Sequence, residues 1–139
     1  MLIAVDFDGT IVRDNYPDIG SEYPFATETL RMLSNAGHQL ILWTVRQGKP
    51  LEEAVEWCRQ RGVEFYAVNQ SYPGEDQDPQ HYSRKIKADI FIDDRNVGGL
   101  ADWGTIYELI KDNKTLEEVI LDELNSPRHQ KKKSGWWPF

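Results

Sequence analysis

The stretch that decides the fold is LIAVDFDGT, residues 2–10. Its first four residues are apolar and two of them are β-branched, which predicts a buried strand beginning almost at the N-terminus. The strand delivers two carboxylates, Asp6 and Asp8, and Gly9 permits a sharp turn because it has no Cβ. Ligands of open α/β sheets bind where parallel strands end. Because two carboxylates repel there, we expect a cation such as Mg²⁺ to offset them.

The composition is that of one soluble globular domain. With 139 residues, 40% of them hydrophobic and 28% charged, the chain suits a single core. No apolar run approaches the roughly 20 residues that span a bilayer, and the N-terminus lacks the pattern of a secretory signal. A lone cysteine, Cys58, excludes an intrachain disulfide, so we expect a cytoplasmic protein without a membrane partner.

The charge is distributed unevenly. The net charge is −7, whereas Arg128 and residues 131–133 make the C-terminal tail basic. The acidic body argues against a nucleic-acid partner, because binding to a phosphate backbone needs clustered Lys and Arg. We therefore divide the chain into one domain over residues 1–125 and a basic, aromatic tail over residues 126–139. The residues leave open whether the chain forms a homo-oligomer.

Strands and helices alternate along the chain. Predicted strands cover residues 2–7, 39–43, 63–68 and 88–92, and predicted helices begin near Pro24, Pro50, Thr105 and Thr115. The last two helices open with capping-box patterns, and the final one is expected to bury Leu116, Val119, Ile120 and Leu124. This order implies parallel strands joined by right-handed crossovers. The prediction is an α/β fold with a doubly wound, mainly parallel sheet.

In such a sheet the strand ends meet at one rim. The residues brought there are Asp6, Asp8, Thr44, Asp93 and Asp94. Carboxylates that converge at one edge of a sheet predict a site for a divalent cation such as Mg²⁺. The alternative is that polar residues follow these strands by chance, as caps or turn residues.

Four motifs together resemble the haloacid-dehalogenase-like (HAD) hydrolase superfamily, most of whose members are phosphatases. DFDGTIV at residues 6–12 resembles the family's first motif, and LILWT at residues 40–44 resembles the second. Lys85 resembles the lysine of the third, and IFIDD at residues 90–94 resembles the fourth. The resemblance implies a Rossmann-like three-layer sandwich over residues 2–95.

The resemblance also implies roles for these residues. Asp6 would be a nucleophile that forms an aspartyl-phosphate, and Asp8 would be the general acid/base. Mg²⁺ would be held by Asp6, the backbone carbonyl of Asp8, and Asp94, with Asp93 orienting the ligands. Thr44 and Lys85 would stabilise the transferring phosphoryl group.

Several assignments stay open. Lys87 competes with Lys85 as the catalytic lysine. Gly9 belongs to the turn expected to approach the substrate. Arg46 and Arg95 directly follow strand ends, so they either bind a second anionic group of the substrate or form surface ion pairs.

Many family members carry a cap domain, inserted after the first or third strand. Here those positions hold only residues 9–22 and 69–83, too few for a folded domain of ordinary size. The chain therefore resembles a capless member with minimal insertions and an open site. The leading hypothesis is a Mg²⁺-dependent phosphomonoester hydrolase acting on a small phosphorylated substrate. The alternative is a non-catalytic or regulatory protein of the same fold that binds phosphate or metal.

Overall fold

A computed structural model describes residues 1–127 of the chain. The strands are β1 (Leu2–Val5), β2 (Gln39–Leu42), β3 (Ala67–Val68) and β4 (Ile90–Ile92). The helices are α1 (Ala26–Asn35), α2 (Gly48–Gln60), α3 (Trp103–Lys111) and α4 (Leu116–Leu124). Within these described residues, the chain follows the order β-α-β-α-β-β-α-α, and the segment between β3 and β4 contains no helix.

The four strands of the described chain form one parallel sheet in the order β3-β2-β1-β4. Val5 at the end of β1 pairs with Leu42 on one side and with Ile92 on the other. The chain steps outward from β1 through β2 to β3 and then returns to pair β4 with the opposite edge of β1. A switch point therefore lies between the carboxyl ends of β1 and β4, which is where open α/β sheets bind ligands. The predicted α/β, Rossmann-like fold with a parallel sheet is confirmed.

The sheet is buried by residues that alternate between its two faces. Ile3 and Val5 are fully buried, whereas Ala4 belongs to a second buried cluster with Ile41, Ala67 and Ile86. Ile86 comes from the helix-free segment between β3 and β4, which covers that face through this side chain. The near-continuous apolar runs of β1 and β2 reflect burial on both sides.

The third strand is shorter than predicted. Only Ala67–Val68 pairs in the sheet, not residues 63–68. Val63 is buried, but its N–H donates to the carbonyl of Cys58 and so closes the end of α2. The backbone of Val63 therefore completes the helix end while its side chain is buried, and a buried apolar residue at a helix end looks the same in sequence as one in a strand.

The last two helices depart from expectation in different ways. The capping box at Thr115 and Glu118 is confirmed, but α3 begins at Trp103, so Thr105 does not cap it. The predicted buried face of α4 is wrong, because no residue of that helix is buried and Leu116, Ile120 and Leu124 are each about half exposed.

The chain forms two compact units, one over Met1–Trp103 and a second that begins at Gly104. The domain boundary at residue 125 stays a prediction. Residues 128–139 of the predicted tail lie outside the described part of the chain. Among residues 1–127, no helix combines the length and the apolar character needed to cross a membrane.

Candidate active site

Three carboxylates meet at the switch point of the sheet. Asp6 follows β1, and Asp93 and Asp94 follow β4; one oxygen from each lies within 4.8 Å of the others. The backbone places them there, since the N–H of Asp6 donates to the carbonyl of Ile92 at 3.0 Å and so joins the two strand ends. The structure therefore brings together three of the four predicted metal-site aspartates.

The electrostatics of this cluster favour a bound cation. Burial, together with the like charges of Asp93 and Asp94, raises the pKa of Asp6 to about 7. Burial disfavours the ionised form of Asp6, and the neighbouring carboxylates add negative charge that a cation would offset. Because all donors in the cluster are carboxylate oxygens, the donor set fits a hard divalent cation such as Mg²⁺.

The hydroxyl of Thr10 contacts two of the three carboxylates. Its hydroxyl oxygen lies 3.3 Å from Asp6 Oδ2 and 3.1 Å from Asp94 Oδ1, and accepts a hydrogen bond from the N–H of Asp94 at 3.1 Å. Thr10 is fully buried, and its carbonyl accepts from the indole N–H of Trp103 at 3.1 Å. The motif residue after Gly9 therefore orients two of the three carboxylates.

Asp8 takes a different partner. Its two carboxylate oxygens accept hydrogen bonds of 2.7 Å each from Nε and Nη2 of Arg46. This bidentate pair raises the pKa of Arg46 above its ordinary value, chiefly through the hydrogen bond to Asp8. The Asp8 side chain is therefore held beside the three-carboxylate cluster and is not one of its members.

Arg46 does form an ion pair, with Asp8, but the arginine lies in the interior of the protein and not at the surface as expected. Arg46 is fully buried, and its remaining N–H groups donate to the carbonyls of Pro17, Asp18 and Pro50. A guanidinium has five N–H donors, and these five bonds occupy all of them. Arg46 therefore has no donor left for a substrate anion.

Thr44 lies at the end of β2 in a turn held by Asn69. Asn69 has a positive φ of 53°, accepts from the N–H of Thr44 at 2.8 Å, and donates to the carbonyl of Arg46. The Thr44 hydroxyl accepts from the N–H of Arg46 at 3.1 Å. A hydroxyl also carries one O–H donor, but Thr44 is not among the described residues that line the cavity containing Asp6 and Asp8. Its role in binding a phosphoryl group stays a prediction.

A cavity of about 410 Å³ opens over the carboxylates. Its lining residues are Asp6, Asp8, Asp14, Tyr16, Val45, Asp93 and Arg95. Of the described residues that line it, Arg95 is the one cation, and its backbone N–H donates to Asp93 Oδ1. Arg95 therefore shares this cavity with Asp6 and Asp93, and its binding of a substrate anion stays a prediction.

Lys85 and Lys87 line a different cavity, near the amino ends of β1 and β2. Lys85 Nζ lies 5.6 Å from the centre of the Phe91 ring, and the N–H of Lys87 donates to Ser71 Oγ. The structure does not bring either lysine into the lining of the carboxylate cavity. The catalytic role of Lys85 stays a prediction.

Sequence reasoning missed four supporting residues. Thr10 and Asn69 orient the site residues, Trp103 holds Thr10, and the ring of Tyr16 lies 5.2 Å from the Arg46 guanidinium. Thr10 was visible in the motif itself. The other three come from segments without regular periodicity, so only the folded structure shows their neighbours.

The fold and the site define an α/β protein with an acidic cluster at the switch point of a parallel sheet. No protein-family model matches the sequence. The chain is 62% identical to a conserved protein of solved structure from Bacteroides thetaiotaomicron, with a TM-score of 0.81, and the match covers 86% of this chain and 96% of that one. The chain therefore belongs to the same family as that conserved protein.

A second relative carries a functional name. Over 75 residues the chain is 29% identical to a Bacillus cereus protein named "Putative nucleotidase". The match covers 54% of this chain and 40% of the relative, so the chain spans less than half the length of that protein.

Proposed function

We propose that this protein is a Mg²⁺-dependent phosphomonoester hydrolase of the HAD type, with Asp6 as its nucleophile. One observation supports the proposal above all others: the side chains of Asp6, Asp93 and Asp94 meet within 4.8 Å at the switch point of the sheet. Asp8 lines the same cavity. The order and spacing of these residues are those of the resembled motifs.

Asp6, Asp93 and Asp94 would hold the metal ion. Mg²⁺, when bound, neutralises charge on the carboxylates and on a phosphate ester, which otherwise repel each other. Its binding would also lower the pKa of Asp6 and keep that carboxylate ionised at neutral pH. Thr10 would keep two of the ligands oriented through its hydroxyl.

The chemistry of the chain proceeds in two displacements. A carboxylate oxygen of Asp6 attacks phosphorus, and the bond from phosphorus to the leaving oxygen breaks. Water then attacks the aspartyl-phosphate, the bond between phosphorus and Asp6 breaks, and inorganic phosphate is released. Thr44 donates its O–H to a phosphoryl oxygen, and Arg95 offers its guanidinium at the mouth of the cavity.

Asp8 would act as the general acid/base. Each of its oxygens accepts one hydrogen bond from Arg46 and retains a further lone pair. The carboxyl group would donate a proton to the leaving oxygen in the first displacement, and the resulting carboxylate would accept a proton from the attacking water in the second.

The substrate class follows from the cavity and from the Bacillus relative. A cavity of about 410 Å³ that is lined by carboxylates together with Tyr16 and Val45 suits a phosphate joined to a larger organic group. We propose nucleoside monophosphates as the first substrates to test, because the relative is named as a nucleotidase. A cytoplasmic location stays a prediction.

The test is turnover of p-nitrophenyl phosphate and of a nucleoside monophosphate panel by the wild type and by Asp6→Asn. We expect Mg²⁺-dependent phosphate release that EDTA abolishes and that Asp6→Asn lacks. Absence of turnover over the whole panel would overturn the proposal.

One observation favours the alternative, a protein of this fold that binds metal or phosphate without catalysis. Lys85, the predicted catalytic lysine, lines a different cavity from the one that Asp6 and Asp8 line. Mg²⁺ binding by calorimetry, without phosphate release from any substrate, would select this alternative.

A further inference from the structure

We propose that Arg46 is a positioning residue whose single guanidinium fixes both the Asp8 carboxylate and the 16–18 loop, so that Asp8 and Tyr16 line one cavity. The inference rests on the proposed function and adds a residue that contacts no substrate. It also replaces the expectation that Arg46 binds an anion.

The first argument is the set of bonds that Arg46 makes. Two of its N–H groups hold Asp8, two others hold the carbonyls of Pro17 and Asp18, and one holds the carbonyl of Pro50 at the start of α2. These partners come from three places in the chain: Asp8, the 16–18 loop and the first turn of α2. A buried guanidinium with every donor used stays in one orientation, and the partners are fixed relative to one another.

The second argument is where the two held segments lie. Asp8 and Tyr16 both line the carboxylate cavity, although Tyr16 is 55% exposed. The Arg46 guanidinium also lies over two aromatic rings, at 5.1 Å from the centre of Phe7 and 5.2 Å from the centre of Tyr16. Arg46 therefore contacts two residues that line the cavity: the carboxylate of Asp8 and the aromatic ring of Tyr16.

The third argument is that a lysine could not replace this residue. An ammonium is a point charge with three donors, whereas the observed contacts need a planar fork that reaches five acceptors. Arg46→Lys retains the charge and loses this geometry. A lower kcat in Arg46→Lys would therefore result from the lost positioning of Asp8 and the 16–18 loop, and not from a change in net charge.

The experiment compares Arg46→Lys with Arg59→Lys. Arg59 makes a similar two-bond contact with Glu56, at 2.7 and 2.6 Å, but on the exposed surface of α2. We expect Arg46→Lys to lower kcat by about 10- to 100-fold and to raise KM, since small displacements in a site cost rates of that order. Amide hydrogen exchange over residues 13–22 is expected to rise in Arg46→Lys and to stay unchanged in Arg59→Lys.

Two results of this experiment would count against the proposal. If Arg46→Lys folds and keeps the wild-type kcat, the proposal is overturned whatever the exchange shows. If kcat falls but exchange over residues 13–22 is unchanged, the link between loop and carboxylate is overturned.

A second variant covers the cases in which Arg46→Lys does not fold or the wild type shows no turnover. Asp8→Asn weakens the grip of Arg46 while preserving side-chain size, and we expect it to raise exchange over residues 13–22, with Glu56→Gln as the matched control. Unchanged exchange in Asp8→Asn would overturn the proposal. Absence of wild-type turnover would overturn the proposed function alone.

Discussion

The carboxylate of Asp94 lies so close to Gly9 that a Cβ at position 9 would sit 2.5 Å from Asp94 Oδ2. Gly9 also has a φ of +85°, a conformation that residues with a Cβ rarely adopt. Two independent constraints therefore fix glycine at the turn that follows Asp8. The turn and the Asp94 carboxylate are packed against each other.

We expect Gly9→Ala to reduce the free energy of unfolding by about 1–3 kcal/mol and to weaken Mg²⁺ binding, because Asp94 must move. Denaturant unfolding and calorimetric Mg²⁺ titration measure the two effects. Gly37→Ala is the matched control, since Gly37 has a φ of +96° with no atom within 4 Å of the added Cβ. Equal effects of the two substitutions on Mg²⁺ binding would contradict the packing argument.

The raised pKa of Asp6 predicts the pH dependence of stability of the metal-free protein. The carboxyl binds its proton more tightly in the folded state, with a pKa of about 7 against an ordinary 3.8. The contribution of Asp6 to the free energy of unfolding is therefore fully present below about pH 4 and is lost as the pH rises through 7. The loss is well below the roughly 4 kcal/mol that a shift of three pKa units would give in full, because the Asp6 side chain is partly exposed to water.

The measurement is urea unfolding between pH 4 and pH 8 in EDTA, for the wild type and for Asp6→Asn. We expect the free energy of unfolding of the wild type to fall relative to that of Asp6→Asn across this range, and Mg²⁺ to restore it at pH 8. Parallel curves for the two proteins would show that the folded state does not hold the Asp6 proton.

Thr10→Val tests whether the hydroxyl at position 10 orients the ligands. Valine has nearly the same shape but removes the contacts to Asp6 and Asp94. We expect Mg²⁺ affinity to fall by about 10- to 100-fold, the usual effect of losing a group that orients metal ligands. Thr29→Val, at a buried threonine in α1, is the control and should bind Mg²⁺ like the wild type.

The pair formed by Arg46 and Asp8 predicts a large effect on stability. Arg46→Met leaves the Asp8 carboxylate without its cationic partner, and we expect a loss of about 3–5 kcal/mol in the free energy of unfolding. Asp8→Asn in the same chain should recover part of that loss, because the unpaired charge is removed. Additive effects of the two substitutions in denaturant unfolding would contradict the coupling, and Arg59→Met on the exposed surface should change little.

The sequence alone predicted those elements whose runs of apolar residues are buried in the folded structure. The apolar runs of β1, β2 and β4 gave the parallel sheet, and the acidic residues that follow β1 and β4 were expected to meet at one rim. The structure brings Asp6, Asp93 and Asp94 together there. Their catalytic roles stay predictions.

The parts that sequence did not predict depend on contacts between distant segments. Arg46 was expected either to bind a second anionic group of the substrate or to form a surface ion pair, yet it is buried and donates to five acceptors from three segments. The buried face predicted for α4 is absent, because no residue of that helix is buried. A stripe of apolar residues shows that a helix could pack against another element, but it does not show that another element packs there. Val63 likewise closed a helix instead of starting a strand.

The central claim is that Asp6 carries the phosphoryl group during turnover, and acid-quenched peptide mapping tests it most directly. Wild-type protein is mixed with Mg²⁺ and p-nitrophenyl phosphate, quenched during turnover, and digested for mass spectrometry. We expect a phosphorylated peptide that contains Asp6, and none from Asp6→Asn. Phosphate release without any phosphorylated Asp6 peptide, or with undiminished rate in Asp6→Asn, would contradict the account.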